Sequence, residues 1–130
     1  MKKLLAMLLL CATVFNVSSC SKEEDAEAIK LTQDIIVGTW NVVWAEQNGS
    51  ELEIPEGYIY MILRSDGSYR TVMFRDSYSG TYHIEGSTVV GTTLDPITEY
   101  YKFTYLQGDY AEIDYSNSVG DQMKFKVNKQ

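Results

Sequence analysis

The chain has 130 residues, with 11 basic against 18 acidic side chains and a net charge of −7 at neutral pH. That balance argues against nucleic acid as a partner, whose phosphates demand a basic face, and it repels anionic membrane surfaces. With two cysteines, Cys11 and Cys20, and one histidine, His83, chemistry that needs several thiolates or imidazoles has few donors to draw on.

The N-terminus has a composition of its own. Met1-Lys2-Lys3 is followed by an apolar run over residues 4–14, and then by Val17-Ser18-Ser19-Cys20. A basic start, a short apolar stretch and small residues before a cut form a secretory signal, too short to span a bilayer as a helix. With the cut falling before a cysteine, residues 1–19 resemble a bacterial lipoprotein signal peptide, removed on maturation. The resemblance implies that Cys20 becomes lipidated and starts the mature chain; two or three acyl chains anchor stably where one does not. Ser21 in place of Asp disfavours inner-membrane retention in such lipoproteins. Lys22-Glu23-Glu24-Asp25 resembles the export signal, a lysine then an acidic pair, that sends lipoproteins of the Bacteroidota to the outer face of the outer membrane. The expected location is therefore the outer membrane, lipid-anchored and facing the cell exterior. Cys11 leaves with the signal and Cys20 takes the lipid, so the mature domain keeps no thiol or disulfide and its core must carry stability alone. Losing Lys2 and Lys3 leaves nine basic residues against 18 acidic ones, a charge of −9.

Residues 20–35 read as an acidic tether ending in a short helical turn over residues 31–37, with Thr32 as N-cap and Gly38 as the stop. From Thr39 onward the pattern alternates with period two, and turn residues recur at roughly 8- to 12-residue intervals, the rhythm of a sandwich or barrel. Eight strands are expected, at 39–47, 58–64, 68–75, 80–84, 88–93, 97–105, 110–115 and 122–127, each hairpin-linked to the next. An open meander would leave two long edges as aggregation templates, and closure removes them. Residues 36–130 are thus expected to form one all-β domain, a small eight-stranded up-and-down antiparallel barrel.

Gly38-Thr39-Trp40 at the start of the first strand resembles the Gly-x-Trp motif of the lipocalin and wider calycin fold. There the tryptophan packs across the closed end of the barrel under a short N-terminal helical turn. Leu63-Arg64-Ser65-Asp66-Gly67-Ser68-Tyr69 and Gly80-Thr81-Tyr82-His83-Ile84-Glu85-Gly86 are similar to the lipocalin-like domains of Bacteroidota lipoproteins. The resemblance spans residues 36–129 and implies a barrel that binds a small hydrophobic or amphipathic ligand at its open end.

Strand parity separates two candidate sites. Trp40, Trp44, Met61, Tyr69, Thr71, Met73, Tyr82, Phe103 and Tyr115 point inward, the last eight as the ligand-cavity candidates. Space is expected at the small inward residues Thr71, Gly91, Thr93 and Ala111, under a roof of residues 49–57, 76–79 and 94–96. Eight-stranded interiors are either just filled or hold one small ligand, and a void of about 300 Å³ is where ligand pockets begin. On the other face, Tyr58, Tyr60, Ile62, Val72 and Phe74 point outward on one hairpin. Such a cluster suits a protein or glycan partner unless residues 29–36 fold over it. Arg64 and Arg75 fall at opposite rims.

Catalysis is not expected. His83 stands alone and outward, and there is no nucleophile elbow, metal set or phosphate loop. Residues 114–121 superficially suggest a calcium loop, but Val119 stands where the sharp turn needs glycine. The expectation is a non-enzyme without cofactor or metal. It is either a ligand-binding barrel or a packed barrel acting as an interaction module, an accessory subunit or inhibitor.

Overall fold

Alternating apolar residues become the inner faces of strands throughout the computed structural model, which describes residues 29–130; the signal sequence, Cys20 and the tether up to residue 28 lie outside the described residues. A four-residue turn of helix, α1 (Gln33–Ile36), precedes nine strands. They are β1 (Gly38–Gln47), β2 (Ser50–Leu52), β3 (Ile59–Leu63), β4 (Ser68–Met73), β5 (Asp76–Glu85), β6 (Thr88–Thr93), β7 (Thr98–Gln107), β8 (Tyr110–Asn117) and β9 (Gln122–Lys129). All neighbours pair antiparallel, in the order β2-β1-β3-β4-β5-β6-β7-β8-β9. β1 also pairs with β9, from Trp40↔Lys129 to Glu46↔Lys124, and so closes eight strands into a barrel. The ninth, β2, falls in a stretch read from sequence as loop. It is three residues long and lies along Ala45–Gln47 of β1.

The closed end is built on Trp40. Its ring is fully buried and meets Phe103 edge-to-face at 5.6 Å. Its indole Nε1 donates to the Ile36 carbonyl at 2.9 Å, which seats α1 across the barrel end. The Lys129 ammonium lies 5.4 Å from the ring centroid and donates to the Ile35 carbonyl at 2.7 Å. Gly38 has φ +140°, a conformation that favours glycine, and a Cβ there would press on Lys129 Cε at 3.0 Å. The expected Thr32 cap makes no side-chain hydrogen bond. The segment is held instead by the Leu31 amide donating to the Gly86 carbonyl and by Gln33 Nε2 donating to the Tyr82 hydroxyl. It therefore plugs the barrel end, with Leu31 and Ile36 buried in the core.

Besides a bulge between Phe103 and Tyr105 in the β7–β8 ladder, two departures from strict alternation have local causes. A bulge between Val42 and Trp44 in the β1–β9 ladder inserts one residue and resets the parity. Ala45 takes the buried position, and Trp44, expected inside, turns outward under the Lys126 ammonium at 4.7 Å. The second departure is the β4–β5 turn. Residues 76–79, expected as a roof loop, belong to β5, and the chain reverses at Phe74-Arg75, with φ +50° and +82°. Neither residue belongs to the glycine, asparagine and aspartate group that tolerates left-handed backbone, so each is strained by about 1–2 kcal/mol. The Arg75 guanidinium over the Tyr58 ring, 5.2 Å from its centroid, offsets part of that. Replacing the pair together, Phe74→Asn with Arg75→Gly, is expected to raise unfolding stability by about 1 kcal/mol in urea titrations. An unchanged or lower midpoint would show that the turn is not strained.

Candidate functional site

The barrel interior is chemically unusual because a carboxylate stands in it. Inward positions on β7 include Phe103, Tyr101 and Glu99, and Glu99 is 4 % exposed. The hydroxyls of Tyr69 and Tyr101 donate to Glu99 Oε1 at 2.7 and 3.2 Å, and that of Tyr115 donates to Oε2 at 2.7 Å. Thr71 Oγ1 lies 2.9 Å from the Tyr101 hydroxyl, and Asn117 Nδ2 donates to the Tyr115 hydroxyl at 3.0 Å. Among the described residues no lysine, arginine or histidine pairs with Glu99. Its charge is held by hydroxyl dipoles, the short charge-assisted bonds that a buried carboxylate needs. Burial, reinforced by the Glu99 charge, pushes all three phenols well above the ordinary tyrosine range.

Around this network the cavity candidates fill the lumen. Tyr69 lies flat over Gly91, where a Cβ would come within 2.5 Å of its ring, so the space expected at that glycine is taken by the tyrosine. Thr71, also expected to leave room, spends its hydroxyl on Tyr101. Met61, Phe103 and Tyr115 are buried among the core side chains, and Tyr115 stacks on Phe125 with centroids 5.4 Å apart. Met73 is half-buried against the core. Tyr82 lies at the closed end, its hydroxyl donating to the Arg64 carbonyl. Trp44 is outside. The void bordered by Trp40, Ile59, Met61, Thr71, Tyr101 and Phe125 is about 10 Å³. That is the lower limit for a single water. Sequence reasoning missed Glu99 and Tyr101, although the alternation that puts Phe103 inside puts both there as well.

The outward hairpin of β3–β4 is less open than parity suggests. Tyr60 and Val72 are cross-strand partners, as are Ile62 and Arg70. Val72 is only 7 % exposed, while Tyr60 and Ile62 are half-buried. Tyr58 packs against the core, and Phe74, 42 % exposed, sits at the turn. Arg64 and Arg75 lie at opposite ends, as expected. His83 is exposed with its Nε2 2.7 Å from Glu85. Asn117 Oδ1 accepts from the amides of Val119 and Asp121 and so organises the β8–β9 turn. Among the described residues no three His, Cys, Asp or Glu side chains are placed to share a metal ion.

The room is outside the barrel. A groove of about 580 Å³ runs over the outer face of β6 to β1. Its flanks are Glu46, Asn48 and Gly49 on one side and Thr88, Tyr100 and Lys102 on the other; Asp114, Ser116, Gln122 and Lys124 lie between. The Lys124 ammonium meets Asp114 at 3.2 Å.

Comparison with known proteins agrees with this architecture. Residues 36–124 match the family described as lipocalin-like domain. The chain belongs to that family. The lipocalin-like barrel also resembles an uncharacterized protein from Bacteroides eggerthii DSM 20697, solved at 2.60 Å, with a TM-score of 0.56 and 13 % identity over 72 % of this chain and 98 % of that one. A redesigned beta barrel aligns over 75 % of this chain and 94 % of its own, with 15 % identity and a TM-score of 0.48. No curated protein matches the sequence.

The tyrosine network makes stability depend on alkaline pH. Folding raises the phenol pKa values of Tyr69, Tyr101 and Tyr115, so above pH ~10 the folded barrel holds more protons than the unfolded chain. The stabilisation is complete below pH ~10 and falls as pH rises further, by about 1.4 kcal/mol per pH unit for each such group. Tyrosinate absorbance should therefore show these three phenols titrating only together with unfolding. Smooth titration of all ten tyrosines in a folded barrel would contradict the network.

Proposed function

We propose that this protein is a lipid-anchored outer-membrane module that works from the outside of its barrel as an interaction domain. The observation that carries the reading is the filled lumen, with about 10 Å³ free where a small-molecule site needs several hundred. Lipocalin-like barrels generally bind small hydrophobic ligands, and family membership favours that second reading. Here it requires Tyr69, Tyr101 and Tyr115 to leave a satisfied carboxylate, which would strip a buried charge of its donors. The exterior offers half-buried Tyr60 and Ile62, exposed Phe74 and the groove of β6 to β1 for a protein or glycan partner. Lipid attachment and outer-membrane location rest on the signal-like residues 1–19 and on Cys20. The non-enzymatic reading rests on the family.

Two measurements test this. Native mass spectrometry of the lipoprotein taken gently from its own membrane is expected to show the lipidated chain without any small hydrophobic adduct. A stoichiometric adduct lost on denaturation would return the ligand to the lumen and sink the proposal. Cys20→Ser is expected to move the protein from the membrane fraction to the soluble one and to remove the acyl mass. A variant that still sediments with membranes would rule out Cys20 as the anchor.

A further inference from the structure

We infer that the groove over β6 to β1 binds a neutral oligosaccharide, with the Tyr100 ring as its platform. The inference rests on the outer-surface reading above and gives that surface a ligand class. Ladder register sets the chemistry of the site. One outward row runs Thr88↔Lys102↔Asp114↔Lys124↔Glu46, each residue opposite the next on neighbouring strands. Two ammoniums and two carboxylates alternate along it, and the Lys124–Asp114 pair is already closed at 3.2 Å. Opposite signs at this spacing cancel, so the groove selects neither an anion nor a cation.

The adjacent row is Tyr100↔Ser116↔Gln122, with Asn48 beside it on the flank. Tyr100 is 41 % exposed. Among the described residues, Asn48, Tyr100, Lys102 and Gln122 make no side-chain hydrogen bond within the chain, which leaves donors and acceptors of both kinds facing the groove. A ligand matched to this lining is uncharged, dense in hydroxyls, and has an apolar C–H face to lay on an aromatic ring. A sugar chain has all three properties. A lipid tail would leave the amides and charges unpaired. A peptide adding as a strand finds no edge, because β7, β8 and β9 are each paired on both sides. The volume of about 580 Å³ lies within the range of small-ligand sites.

The test is calorimetric titration of the full lipoprotein, held in a polyoxyethylene detergent so that no sugar headgroup competes. The probes are maltohexaose, cellohexaose, xylohexaose and mannohexaose, with hexagalacturonate as the charged counterpart. At least one neutral probe is expected to bind, and hexagalacturonate to bind more weakly. Tyr100→Ala should weaken that binding about tenfold, the size of one ring-stacking contact. Gln122→Ala should weaken it as well, while Arg70→Ala, at an exposed position on β4 across the barrel from β8, should leave it unchanged. Near-UV circular dichroism checks that each variant is folded. Absence of binding by every neutral probe, preference for hexagalacturonate, or affinity untouched by Tyr100→Ala would overturn the inference. These failures are read in the titration; failure of the outer-surface reading is read in the mass spectrum, as a hydrophobic adduct.

Discussion

A single carboxylate inside the barrel constrains much of what surrounds it. Glu99 is removed from water with no cation beside it among the described residues, so its charge must be met by directed hydrogen bonds. Three tyrosines meet it, one on β4, one on β7 and one on β8, so the network reaches across the lumen. Each consequence follows from that geometry. Tyr69 crosses the barrel only because residue 91 has no side chain, and Thr71 is polar because Tyr101 needs a second partner. A one-residue slip of β7 would place Tyr100 inside and Glu99 in solvent, leaving the other hydroxyls unpaired. The network thus fixes strand register as firmly as the apolar core does, and it occupies the space a lipocalin-like ligand would take.

Filling the interior turns the barrel into a rigid support, and its chemical variety moves to the outer surface. Lys102, Asp114, Lys124 and Glu46 line up because each stands opposite the next in the β7-to-β1 ladders. Their spacing is set by strands that the core holds in place, so the groove is organised before any ligand arrives, which lowers the ordering cost of binding. The closed end is specialised differently. Trp40, Lys129 and the carbonyls of Ile35 and Ile36 form a seal of one ring, one cation and two backbone acceptors.

Much of this was legible in the sequence because alternation with period two is a strong signal. Met123, Phe125 and Val127 inward and Lys124 outward read the same in sequence and structure. What escaped did so for physical reasons. Three residues, Ser50 to Leu52, are too few to show a period, so β2 looked like loop. The bulge at Val42 and Trp44 is an added residue that no composition marks, and it moved Trp44 from the cavity to the surface. Phe74-Arg75 reverses the chain without a glycine or asparagine to announce it. Glu99 was passed over because a carboxylate at a core position contradicts the polarity rule. Two clues stood against that rule: the alternation through Phe103 on β7, and tyrosines at inward positions of three strands.

The way the chain enters the barrel has a mechanical consequence. Leu31 enters the fold at the closed end, bonded to the Gly86 carbonyl, and from there the chain passes through α1 directly into β1. A force drawn through the N-terminus therefore acts along the axis of β1, which is bonded to β9 on one side and to β3 and β2 on the other. In that direction the ladder hydrogen bonds are loaded together in shear, instead of being peeled one at a time. The first element to yield is the α1 plug, held by the Leu31–Gly86 hydrogen bond and the indole of Trp40. Behind it the barrel resists as a unit, its eight strands tied together by the β1–β9 ladder.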